Sequence, residues 1–219
     1  MLVDTSQSVQ SEDARARYDE ALETVLSAFG DGGALEGKRM LVGVDRISAS
    51  SLTESNIAEV ELPGKNFNTN PLEHENELEA AVQELGRAFD NIASTPPATE
   101  GTAIVDSLEN AARYFANKGD VERKYLVLLS DMFEVSSSYR PADVRTPAGR
   151  RQQLDRLEAD GRIPDLRGVE VYVAGAGVTD DEHDAEQVRA MRAFWVELLE
   201  RAGASLPQHR YGAQLIDFP

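Results

Sequence analysis

The chain has 219 residues, 41% of them hydrophobic and 6% aromatic, which suffices for one aliphatic-cored α/β domain. Its 22 basic and 39 acidic residues leave a net charge of −17, which argues against a nucleic-acid or anionic-membrane surface as partner. With no cysteine, disulfides, thiolate zinc sites and cysteine nucleophiles are excluded.

Residues 1–3 read as the end of a buried strand. Three residues is short for a strand. That predicts a first strand beginning ahead of Met1, after a leader or lipoprotein anchor; no basic n-region or apolar h-region stands in the sequence itself. Localisation stays open between the cytosol and an extracytoplasmic compartment, because a cysteine-free chain folds in either. Residues 11–29 carry Tyr18, Leu22, Val25, Leu26 and Phe29 on one face at helical spacing. The glycines at 30–33 stop that helix. Residues 39–47 (RMLVGVDRI) read as a strand. Residues 58–62 read as its hairpin partner, with Glu59 and Glu61 pointing outward and Pro63 closing it, as on a protected sheet edge.

Leu78, Val82, Leu85 and Phe89 predict an amphipathic helix over 72–93, ended by the STPPATEG break at 94–101. Ile104, Leu108, Ala111 and Phe115 predict another over 102–117. KYLVLL at 124–129 is apolar throughout, as a central parallel strand covered on both faces should be. Residues 132–146 read as a long polar loop, and 147–159 as a helix with Pro147 in its first turn. A strand at 169–174 is followed by a Gly- and Asp-rich loop. A helix at 185–202 is capped by Gly203, and a short final strand is expected at 214–218. Alternating strands and helices predict one domain over residues 1–219: a doubly wound, mostly parallel, Rossmann-like central sheet with one antiparallel edge strand and helices on both faces. No run of about 18 apolar residues is present, so no membrane-spanning segment is expected.

Ligands of such sheets bind beyond the carboxyl ends of the strands, where the strand order reverses. Beyond the first strand stand Asp4, Ser6 and Ser8, alternating in a turn that leads into a helix. Beyond KYLVLL stand Ser130 and Asp131, and Thr102 follows Gly101 just ahead of a helix. If the first and fourth strands are neighbours, Asp4 and Asp131 meet and Thr102 arrives from the side. Two carboxylates and three hydroxyls form a hard, oxygen-only donor set, suited to Mg²⁺, with Mn²⁺ or Ca²⁺ as alternatives. Ordinary helix capping is the competing account of Asp4, Ser6 and Ser8, and Thr102 could equally cap the next helix.

At these residues the chain resembles the von Willebrand factor A (VWA) domain family. Asp4, Ser6 and Ser8 match its Asp-x-Ser-x-Ser motif, Thr102 its second-loop threonine and Asp131 its third-loop aspartate. The strand–helix order matches as well, and residues 194–215 look like the end of small bacterial members of unassigned role. Met132 stands where the family usually has glycine. The resemblance implies a metal-ion-dependent adhesion site (MIDAS): direct coordination by the Ser and Thr hydroxyls, and one or both aspartates acting through water. It also implies a protein partner that presents an Asp or Glu to complete the metal shell, so the chain is expected to bind rather than catalyse. The loops at 48–56, 94–101, 132–146 and 175–184 would form the rim.

An aspartate-nucleophile phosphatase would need a carboxylate where Ser6 stands, and neither Ser6 nor Ser8 lies in a G-x-S-x-G elbow. A scaffold domain with an empty or degenerate site is the alternative of another kind. Residues 180–184 (DDEHD) read as a solvated loop feeding a helix, and His74 and His209 are isolated. Trp195 reads as core, and Gly175-Ala176-Gly177 is an incomplete nucleotide-loop pattern.

Overall fold

The computed structural model describes residues 1–30, 32–49, 56–95, 101–119, 121–136, 144–178 and 184–219. Five strands, β1 (Leu2–Asp4), β2 (Met40–Ile47), β3 (Ala58–Leu62), β4 (Lys124–Leu129) and β5 (Val169–Ala174), form one sheet in the order β3-β2-β1-β4-β5. β1 pairs in parallel with both β2 and β4, and β4 in parallel with β5. The β2–β3 hairpin supplies the antiparallel edge that the outward glutamates predict. Among the described residues five α-helices accompany the strands: α1 (Glu12–Ser27), α2 (Pro71–Ser94), α3 (Ile104–Asn117), α4 (Pro147–Ala159) and α5 (Ala185–Arg201).

Side chains alternate across the sheet with the two-residue period of a strand. Leu126 and Leu128 of β4 join Ile104, Leu108, Leu154, Leu157, Met191 and Trp195, so α3, α4 and α5 cover one face. Val127 and Leu129 join Tyr18, Leu22, Ala81, Leu85 and Phe89, so α1 and α2 cover the other. Both faces of β4 are therefore buried, which accounts for its unbroken apolar run.

Helix starts follow local chemistry. The Ser11 hydroxyl accepts from Ala14 N–H at 3.3 Å at the head of α1, and Asn70 Oδ1 accepts from Leu72 N–H at 3.1 Å at the head of α2. Thr146 and Asp184 cap α4 and α5 in the same way, at 3.1 and 2.7 Å.

Two expectations are corrected. The strand expected at 214–218 does not form. The chain instead runs beside β5 earlier, through parallel bridges of Ser205 with Glu170 and Tyr211 with Val173. Gly175 and Ala176 N–H donate to the carbonyls of Ala213 and Gly212 at 3.1 and 3.0 Å, so the edge is already taken. Asp217 then turns the backbone left-handed, at φ 56°, and Phe218 packs edge-on against Tyr172, their ring centres 5.2 Å apart. The loop after β4 is also less polar in effect than its composition: Met132, Phe133, Glu134 and Val144 are all buried.

β1 is shorter than its neighbours. It meets β2 from Asp45 onward and β4 from Leu128 onward. Below Met1 the sheet opens into a slit of about 520 Å³, bordered by Met40–Gly43 on one side and Lys124–Val127 on the other. The slit reaches Val25 and Leu35 on one face and Ala111 and Phe115 on the other, so it passes through the plane of the sheet.

Candidate metal centre

β1 is the strand about which the order reverses, with β2 on one side and β4 on the other. Its last residue, Asp4, therefore lies at the switch point where such sheets bind ligands. The chain turns at once: Asp4 Oδ1 accepts from Ser6 N–H at 2.9 Å, and a 3-10 turn over Gln7–Val9 carries Ser8 back over Ser6. The two serine hydroxyls lie 3.1 Å apart. Gln10 Nε2 fixes the turn by donating to the carbonyls of Thr5 and Ser6, at 3.0 and 3.2 Å. Asp4, Thr5 and Ser6 are buried, and Ser8 is half-buried at the rim.

The second carboxylate arrives from β4. Val3 is partnered with Leu129, so the next residues, Asp4 and Ser130, stand side by side. The Ser130 hydroxyl donates to Asp4 Oδ2 at 2.7 Å and accepts from Met132 N–H at 2.9 Å. Asp131 Oδ1 accepts from Phe133 N–H at 2.9 Å, and Gly177 N–H donates to the Asp131 carbonyl at 3.0 Å. Burial, and then the nearby Asp131 charge, push the Asp4 carboxyl up to about 7, against the opposing pull of the Ser6 amide and the Ser130 hydroxyl. The Tyr18 hydroxyl from α1 lies within reach of the same two charges and is held well above its ordinary value, chiefly by burial.

Thr102 is brought to this end of the sheet through the backbone. It exchanges two main-chain hydrogen bonds with Val135, at 3.1 and 2.9 Å, four residues beyond Asp131. Ala103 N–H donates to the carbonyl of Ser48, just past β2, at 3.2 Å. Gly101 permits the close approach: its φ is 121°, and a Cβ there would stand 2.8 Å from the Val135 carbonyl oxygen. Capping does not account for Thr102, because the N-cap position of α3 is Ala103, with no side-chain cap bond.

The structure thus gathers Asp4, Ser6, Ser8 and Asp131 into one cluster and ties the Thr102 loop to the same strand end. Among the described residues no group of three or more His, Cys, Asp or Glu could hold an ion. Any ion here would rely on two carboxylates supplemented by hydroxyls. That set fits a hard divalent cation, which accepts neutral oxygens and keeps water in its shell, and does not fit zinc or copper. Tyr18 Oη, buried and without a hydrogen-bond partner, lies near both carboxylates as a further polar atom able to meet such a shell.

Three neighbours of the site escape a reading by motif. Ser130 orients Asp4, Tyr18 lies on what reads only as an apolar helix face, and Glu134 is 1% exposed within a loop of polar composition. Burial raises the Glu134 carboxyl to about 7. The one available signal for Glu134 was the helix start at Ala103-Ile104, which brings no capping side chain of its own. Residues 50–55, 96–100, 137–143 and 179–183 lie outside the described residues, so most of the expected rim, and the DDEHD cluster except Asp184, lies there too. The chain matches no protein-family model and no curated protein.

Proposed function

We propose that the chain is a divalent-metal-dependent protein-binding module of the VWA type. Asp4, Ser6, Ser8, Thr102 and Asp131 would hold Mg²⁺, with Mn²⁺ or Ca²⁺ as substitutes. The observation that carries this reading is the juxtaposition of Asp4 and Asp131, two buried like charges at the ends of adjacent strands. Such a pair costs free energy as two bare anions, and a cation between them reverses the sign of that cost. Bound there, the ion supplies an electrophilic position for one further carboxylate, which an Asp or Glu of a protein partner would fill. Ser130 and the Ser6 amide hold Asp4 in place, and the Phe133 amide does the same for Asp131. Ser8, nearest the surface, marks the side from which a partner would approach.

No helix among the described residues is long and apolar enough to cross a membrane. The net charge of −17 disfavours nucleic acid as the partner. Bond-breaking chemistry has no support in the arrangement, since Ser6 occupies the place where a phosphatase would need an acid or base.

Titration of Mn²⁺ and Mg²⁺ into the wild type and Asp4→Ala, followed by calorimetry, tests the proposal. Binding heat in the wild type and its loss in Asp4→Ala is the expected result; equal heats from both would refute it. The single tryptophan gives a second readout, because Trp195 Nε1–H donates to the Met132 carbonyl at 2.8 Å, one residue from Asp131. Its emission should shift on addition of the ion.

A further inference from the structure

Glu134 lies three residues beyond Asp131, and its side chain is aimed inward. Its Oε2 accepts from Val105 N–H of α3 at 3.0 Å, and Ser136 Oγ–H donates to its Oε1. A helix start carries unsatisfied amides and about half a positive charge, so an inward carboxylate is well placed there. The usual provider of that acceptor is a residue adjoining the helix itself, and Thr102 is the only hydroxyl or carboxylate at 101–105. α3 starts without using it: the N-cap is Ala103, and the Val105 amide turns to Glu134. The carboxylate therefore does the capping that Thr102 would otherwise do. It also adds a third bond to the two that join Thr102 and Val135, so residues 134–135 clamp 102–105 against the loop that carries Asp131.

We propose that Glu134 is a positioning residue for the ion site: by capping α3 from the neighbouring loop, it frees the Thr102 hydroxyl for the ion and fixes its height relative to Asp131. This rests on the metal reading above and names a residue that reading does not contain. Glu134 itself does not touch the ion.

The experiment compares Mn²⁺ affinity in the wild type, Glu134→Leu, Glu134→Gln, Thr102→Ala and the Glu134→Leu/Thr102→Ala double variant, with circular dichroism as the check on folding. Leucine keeps the volume and removes the acceptor, so affinity should fall about 10-fold or more, the usual scale for removing a group that orients a ligand. Glutamine keeps an oxygen for Val105 N–H and should restore affinity to within about 3-fold of wild type, under roughly 0.7 kcal/mol. The double variant should bind no more weakly than Thr102→Ala alone, because Glu134 acts through Thr102. Wild-type affinity in Glu134→Leu, or additive losses in the double variant, would overturn the proposal. If Glu134→Leu does not fold, hydrogen exchange of the wild type decides: Val105 N–H should be strongly protected, and free exchange there would overturn the clamp. A wild type that binds no Mn²⁺ would overturn the metal reading, and this inference with it, even if Val105 is protected.

Discussion

Met132 shows how one backbone angle accounts for a departure from a motif. Its φ is 66°, a left-handed conformation that glycine adopts freely and a residue with a Cβ adopts at a cost of roughly 1–2 kcal/mol. The resemblance puts glycine at this position, and the structure supplies the reason a glycine would suit it. Methionine is tolerated because its side chain is fully buried in the cluster beneath α5. Two opposing contributions follow, and their sizes order the variants. Met132→Ala and Met132→Gly both lose the buried side chain, about 2–5 kcal/mol at such sites. In ordinary backbone glycine would be the worse of the two by about 0.5–1 kcal/mol, whereas the left-handed angle reverses that order here. Urea unfolding should find Met132→Gly at least as stable as Met132→Ala; the opposite ranking would count against the left-handed turn.

At the scale of elements, helix positions were legible because apolar spacing and the glycines and prolines that bound a helix are local. Ser11, Asn70 and Asp184 each head a helix that the apolar spacing had already placed to within two residues, and Thr146 heads the one that Pro147 marked. The start of α3 was placed two residues early because its cap comes from Glu134, distant in sequence. The last strand was misplaced for a related reason: edge pairing depends on which segment reaches β5 first, and Tyr211 does so before residues 214–218. β1 offers a prediction at this scale. The slit below Met1 is flanked by Met40–Gly43 of β2 and Lys124–Val127 of β4, the stretches of those strands that extend past the start of β1. Four β-branched residues appended ahead of Met1 should continue β1 between those neighbours and bury apolar surface. At roughly 1.5–3 kcal/mol for each fully buried aliphatic side chain, less the cost of ordering the segment, a net gain of about 2 kcal/mol is expected. That corresponds to a Tm rise of about 4–8 °C for a chain of this size. A Gly-Ser extension of equal length serves as the control, and an equal Tm for both would contradict the strand-shaped reading of the slit.

For the molecule as a whole, the buried acids set the dependence on pH. Burial raises Asp4 and Glu134 each to about 7, with the Asp131 charge adding to the shift of Asp4. Both stay protonated in the fold at pH values where the unfolded chain, with carboxyls near 4, has lost those protons. Their contribution is thus fully present below about pH 4 and is lost as pH rises towards 7. The Met1 amine, lowered to about 5 by burial, works the other way between about 5 and 8, but it is one group against two. In EDTA, Tm should therefore fall as pH rises from 4 to 7. A saturating divalent ion should flatten that fall, because it stabilises ionised Asp4, and at 100 times its Kd it should add about 2.7 kcal/mol near neutrality. Mn²⁺ affinity should climb with pH and level off above about 7. Tm profiles that coincide with and without the ion would weigh against the site.

The sequence by itself determined the doubly wound architecture, the antiparallel edge and the residues to watch. Periodicity and the alternation of strands and helices arise from interactions within a few residues, and they survive in one dimension. It also named Asp4, Ser6, Ser8, Thr102 and Asp131, because each lies next to a strand or helix end that the pattern marks. Only the tertiary structure decided that β1 lies between β2 and β4, which places Asp4 against Ser130 and Asp131. It alone decided that Glu134 is buried against α3 and that Thr102 is spared from capping. Those outcomes depend on charge, burial and hydrogen bonding between segments far apart along the chain, and no local pattern encodes the free energy of bringing two carboxylates together.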